Sequence, residues 1–96
     1  MKLSLSAESA ETLALNALAW LAGNEELMPV FMGATGASVD DLKTRAGDPA
    51  FLASVLDFIT LDDQWVIAFC DSSGLDYAAP MMARQALPGG AEVNWT

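Results

Sequence analysis

Apolar positions recur at helical spacing along almost the whole chain, and short polar stretches punctuate them. Ala10, Leu13, Ala14, Ala17, Leu18 and Leu21 fall on one face of a 3.6-residue period, with Glu8, Glu11, Thr12 and Asn16 opposite. The pattern predicts a first helix running from a Ser6 N-cap to about Ala22, ended by Gly23. Asn24 is placed to cap a second helix, with Glu25 and Glu26 at its positive end and Leu27, Val30, Phe31 and Ala34 facing inward. Pro29 lies about one turn in, where it removes a donor and is expected to bend the helix. Gly36 is the stop. Ser38 and Asp41 have the spacing of a capping box and open a short third helix, with Val39, Leu42 and Ala46 inward.

The stretch from Leu18 to Ser38 then recurs, loosely, from Leu56 to Asp76, 38 positions later. Asp48-Pro49 opens a fourth helix with an Asp cap and Pro at its first position. Phe51, Leu52, Val55, Leu56 and Ile59 line one face of it, and Ser54 and Asp57 the other. Asp62 caps a fifth helix, in which Trp65, Ala68, Phe69 and Ser72 take the phases of Leu27, Val30, Phe31 and Ala34. Gly74 repeats the stop at Gly36, and Asp76 repeats the cap at Ser38 before a sixth helix from about Tyr77 to Leu87. Met1 to Leu5 reads as a leader, and Pro88-Gly89-Gly90 breaks the last helix before a tail, 88–96. The expectation is an all-α fold: a compact bundle of about six short helices in two three-helix halves, 6–46 and 48–87, within a single domain spanning 1–96.

Composition narrows what such a bundle does. The 96 residues are 53% hydrophobic, too apolar for disorder. Four Lys and Arg stand against thirteen Asp and Glu, for a net charge of −9. The cations form no run, so the chain lacks the means to displace counterions from nucleic acid, and an anionic membrane surface is disfavoured in the same way. The apolar run Leu13 to Ala22 is shorter than the ~20 residues that span a bilayer. Glu8 and Glu11 separate it from Lys2, unlike a secretory signal. These features point to a cytoplasmic protein with no nucleic-acid or membrane partner.

Candidate chemistry is sparse. There is no His, and the single Cys70 sits among Val66, Ile67 and Phe69 with no nearby cation, which predicts a buried, unreactive thiol. The carboxylates Asp40-Asp41 and Asp62-Asp63 fall in first turns, where the helix dipole accounts for them. Asp71-Ser72-Ser73-Gly74 superficially suggests a carrier serine, but here the serines close a helix instead of opening one. No glycine cluster has the form of a phosphate loop. The third helix has Lys43 and Arg45 but also Asp40 and Asp41, the wrong balance for a DNA-reading helix. Met81 and Met82 are adjacent and cannot both face one core, which leaves an adaptable surface.

The segments LALNALAWLAGNEELMPVFMGATGAS from Leu13 and GDPAFLASVLDFITLDDQWVIAFCDSSGLD from Gly47 resemble a small uncharacterised bacterial family, domain of unknown function 3572. The resemblance covers roughly Leu13 to Arg84 and rests on helix caps and core positions. It implies a bacterial, helical protein and carries over no activity, cofactor or site residue. Ala37 departs from the Leu usual after the first Gly stop, which bears on packing alone.

The expected function is therefore that of a non-catalytic protein–protein interaction module, monomeric or weakly dimeric, without metal or cofactor. Its expected interaction surface comprises Asp40, Asp41, Asp62, Asp63, Met81 and Met82. The alternative is a small hydrophobic-ligand binder between the two helical halves, lined by Phe31, Phe69, Trp20 or Met81. An acidic mimic of nucleic acid ranks third, and an enzyme acting alone last.

Overall fold

A computed structural model describes residues 6–87 and contains, in order, α1 (Ala7–Ala22), α2 (Leu27–Thr35), α3 (Val39–Thr44), α4 (Pro49–Ile59), α5 (Asp63–Ser73) and α6 (Ala79–Ala86). No strand occurs among the described residues, so the fold is all-α as expected. The leader, Met1 to Leu5, and the tail, 88–96, lie outside the described residues.

Polar side chains start these helices where the sequence places them. The Ser9 N–H donates to Ser6 Oγ at 3.1 Å, the Ala50 N–H to Asp48 Oδ1 at 3.0 Å, and the Gln64 N–H to Asp62 Oδ1 at 2.8 Å. The Ser38–Asp41 capping box is complete, with bonds of 3.2 and 2.9 Å. Asn24 and Asp76 act differently. Asn24 Oδ1 accepts from the N–H groups of Glu26 and Leu27, both at 3.0 Å, and Asp76 Oδ1 accepts from the Ala78 N–H at 2.9 Å. Each closes a turn before its helix, so α2 and α6 begin later than the pattern suggests. Pro29 becomes the third residue of α2, where its missing N–H opens no gap in the hydrogen-bond ladder. Gly36 and Gly74 end α2 and α5 at φ of +74° and +69°, left-handed positions that only glycine adopts without strain.

Helix α1 is the hub. It packs against α4 and α6, which also pack on each other, while α2 and α5 lean on α1. The six α1 residues expected inward are its six buried residues. All five expected on α4 are buried, joined by Ala53 and Phe58, because α4 is enclosed on more than one side.

Two expectations are corrected. On α2 and α5 the inward stripe is shifted to one flank of the phenylalanine. Phe31 and Phe69 are fully buried, but Val30 is 47% exposed, and Ala34, Ala68 and Ser72 are exposed. Leu27 and Trp65 pack on the core as expected, but beside them it is Met28, Met32 and Val66 that pack there, and Cys70 is buried in it. Either flank fits a helical period; on α2 the buried flank carries Met28 and Met32 and the exposed one Val30 and Ala34. On α3, Val39 is 56% exposed, and no residue is fully buried.

The repeat has a spatial counterpart in its aromatic contacts. Trp20 of α1 meets Phe69 of α5 at 5.8 Å between ring centroids, and Phe58 of α4 meets Phe31 of α2 at 5.3 Å. Trp20 and Phe58 are 38 positions apart, as are Phe31 and Phe69. Each half thus lends the aromatic of its first helix to the second helix of the other. The halves interleave and do not close separately, and α6 continues this by packing on α1 as well as α4. Helix α3 has no matching role: α6 buries Pro80 and Ala83, and α3 buries nothing fully.

The shifted stripe is tested by denaturant unfolding of two neighbouring variants. Phe31→Ala is expected to cost about 3–5 kcal/mol and Val30→Ala less than about 0.5 kcal/mol. Comparable losses at the two positions would place Val30 in the core and contradict the assignment.

Candidate functional site

Two concave surfaces among the described residues bear on function. The first is a groove of about 400 Å³ between α1 and α3, lined by Leu15, Leu18, Ala19 and Ala22 on one side and Val39, Leu42 and Lys43 on the other. Leu15 lies off the buried stripe of α1 and is 42% exposed. Helix α3 is six residues long and is tied at both ends. Ser38 and Asp41 fix its start. At its end the Arg45 guanidinium lies 3.6 Å from the Asp48 carboxylate and 5.0 Å over the Phe51 ring. These tethers face the start of α4, so α3 stands beside α1 without sealing against it. The corresponding seat in the second half is filled. There α6 lies on α4 with Pro80 and Ala83 buried, and the Arg84 Nε–H donates to Asp57 Oδ1 at 2.6 Å.

The second surface is a half-open cleft of about 540 Å³ where the starts of α2 and α5 come together near the end of α1. Trp20, Leu27, Trp65 and Ala68 form its apolar walls, and Asn24, Glu26, Asp62 and Gln64 its polar ones. Phe58 backs Trp65 in a stacked contact, 4.7 Å between centroids and 23° between planes. The cleft lies across the repeat. Asn24 and Asp62, Glu26 and Gln64, and Leu27 and Trp65 are each 38 positions apart. Each half contributes one carboxylate and one amide.

The six residues expected to form an interaction surface do not converge. Asp40 is exposed in the first turn of α3 and Asp41 is engaged in the capping box, both next to groove residue Val39. Asp62 caps α5 and lines the cleft, and Asp63 is exposed beside it. Met81 is 58% exposed on α6 and Met82 is partly buried; neither lines the groove or the cleft. The residues the sequence reading missed include Leu15, Val39, Glu26 and Gln64, whereas Trp20, expected to line a site between the halves, does line the cleft. Leu15, a lone leucine off the α1 stripe, was the one available signal.

Cys70 is fully buried, and its thiol donates to the Asp76 carbonyl at 3.4 Å. Burial raises its pKa, and the Asp71 and Asp76 charges add to the effect, so the thiolate is disfavoured. The Tyr77 hydroxyl donates to Asp71 Oδ1 at 2.8 Å; that bond and the carboxylate charge hold the phenol protonated and raise its pKa. Asp41 is shifted the other way. The Ser38 N–H bonded to its carboxylate lowers its pKa below 3.8, with smaller help from the Ser38 hydroxyl and Arg45. Among the described residues no group of three or more His, Cys, Asp and Glu is arranged to hold a metal ion. Nor is any described helix long and apolar enough to cross a membrane.

Fold and surfaces together define a small acidic helical protein with an open apolar groove and an aromatic, carboxylate-edged cleft. The family model for a protein of unknown function, DUF3572, matches residues 7–90, and the chain belongs to that family. Comparison with curated proteins and with solved structures gave no match.

The Asp41 interaction sets a pH dependence. Its folded pKa lies below the ordinary 3.8, so the cap is fully stabilising above about pH 4 and is lost as pH falls through the depressed value. The Ser38 amide resonance, followed by NMR during acid titration, should move with a midpoint below 3.8. A midpoint at or above that value would show that the carboxylate is not held by this bond.

Proposed function

We propose that the chain is a non-catalytic, cytoplasmic protein-interaction module that seats a short helix of a partner in the α1–α3 groove. The observation that carries this reading is the difference between the two halves. One half fills its seat with α6, and the other leaves an apolar seat of about 400 Å³ open beside a six-residue α3. A helix laid into an apolar groove is a common recognition mode. The model for a suitable partner is α6 itself, which meets its neighbours through small buried residues, Pro80 and Ala83. Asp40 and Asp41 beside the groove, within a chain of net charge −9, favour a partner with basic flanks and speed its encounter. A lone buried thiol suits a reducing compartment.

Catalysis has little support. The chain has no His, and Asp41, Asp48 and Asp62 are committed to helix caps. The alternative of a hydrophobic ligand between the halves fits less well. The cleft there carries Glu26, Asp62 and two amides, and Phe31 and Phe69 are fully buried in ring contacts.

Leu15→Glu and Val39→Glu place a charge in the groove at exposed positions, and Leu61→Glu, at a site 76% exposed, serves as control. With all variants folded by circular dichroism, one partner from host extract should be retained by the wild type and by Leu61→Glu. Its retention should fall at least about tenfold with either groove variant. Equal retention by all four proteins would remove the groove from the interaction.

A further inference from the structure

We propose that the cleft between the starts of α2 and α5 binds a guanidinium group, the planar cation of an arginine side chain or of a small guanidine. The argument starts from what the cleft offers. Two indoles, Trp20 and Trp65, stand in its wall, and Phe58 stacks behind Trp65 and holds that ring in place. Two carboxylates, Glu26 and Asp62, stand at its polar side with two amides, Asn24 and Gln64. An indole face attracts a cation, and a carboxylate accepts from it, so both kinds of wall select positive charge.

Other ligand classes fit less well. Paired helix starts suggest an anion site, but the donors are already used. Asn24 Oδ1 takes the Glu26 and Leu27 N–H groups, and its carbonyl takes the Met28 N–H at 2.9 Å. Asp62 takes the Gln64 N–H through its side chain and the Trp65 N–H through its carbonyl at 3.0 Å. The charges on the cleft wall are two carboxylates, which repel anions and outweigh the neutral amides of Asn24 and Gln64. A bare metal ion lacks ligands, since among the described residues no three His, Cys, Asp or Glu are grouped for one. An apolar ligand would strip water from Glu26 and Asp62 without return. Among organic cations, an ammonium matches the charge but not the shape. A guanidinium lies flat on an indole and presents its N–H groups in the plane, toward carboxylates and amides at the edge.

The site is independent of the α1–α3 groove and shares no residue with it. It also makes use of the interleaved repeat. Neither half alone holds two aromatics and two carboxylates around one space.

The test titrates the full chain with methylguanidine and, separately, with N-acetyl-argininamide, following the three indole N–H resonances by NMR. Trp20 and Trp65 should shift saturably, with a dissociation constant on the order of 1 mM. Tighter binding of the arginine derivative would assign the site to a protein side chain, and equal or tighter binding of methylguanidine to a small guanidine. Glu26→Gln and Asp62→Asn, the latter keeping its capping oxygen, should each weaken binding about two- to fivefold. The proposal fails if no saturable shift appears by about 20 mM, well above the expected constant. It also fails if methylammonium at matched ionic strength binds equally, or if both charge-removing variants bind as the wild type does.

Discussion

Ala10, Ala14 and Ala17 on α1 have no exposed surface, and the close approach they permit shapes everything around them. The distance between packed helices depends on the side chains between them, about 8–10 Å. Alanine at three successive turns lets α4 and α6 approach α1 on one side, while Leu13, Leu18 and Leu21 fill the space between. The helices that pack on α1 also bury small residues, Ala53 on α4 and Ala83 on α6. A larger side chain at any of these positions would push helices apart, at a cost of about 1–3 kcal/mol. With its flank taken by α4 and α6, α1 leaves its C-terminal end to α2 and α5. That is where Trp20 meets Phe69.

The exchanged aromatic pairs follow from this arrangement. Phe31 touches both Phe51 and Phe58 of α4, so α2, which leans on α1 of its own half, is also anchored to the next. A pair of ring contacts placed edge-on or tilted adds about 0.5–1.5 kcal/mol each beyond burial and fixes orientation as well as proximity. Doubling the sequence therefore produced one shared core. It also created the cleft, since bringing the second helices across the middle sets their capped starts side by side. The symmetry ends at the third helices, where two buried residues on α6 have no counterpart on α3.

Much of this architecture could be read from the residues. The α1 stripe, the α4 face, the caps at Ser6, Ser38, Asp48 and Asp62 and the stops at Gly36 and Gly74 each rest on local rules, and local structure obeys them. What was misread depended on distant neighbours. Helix α2 is apolar nearly all round, so periodicity left two flanks open beside Phe31, and α4 rather than α2 determined which was buried. Val39 looked like a core residue because nothing local shows that Arg45 ties α3 toward Phe51. The groove and the cleft lay outside sequence reasoning for the same reason: each is a space between elements. The 38-residue spacing of Asn24 and Asp62 marked them as equivalent without saying that they would face one cavity.

The acidic charge is best understood through these two surfaces. Asp41, Asp48, Asp62 and Asp76 each accept a backbone N–H at or just before a helix start, so a net charge of −9 is in part a by-product of starting these short helices. That by-product has a physical consequence. A chain that leaves Leu15 and Val39 exposed in an apolar groove risks self-association, and strong like charge keeps copies apart. Repulsion between copies acts at longer range than an apolar contact, and a basic partner of the kind proposed for the groove would not meet it. Capping charge can in this way make an open apolar seat tolerable and, at the same time, selective. The same sign of charge serves the cleft, where Glu26 and Asp62 sit beside indoles instead of leucines. On both proposals, one electrostatic background would favour positively charged groups at two surfaces of different shape.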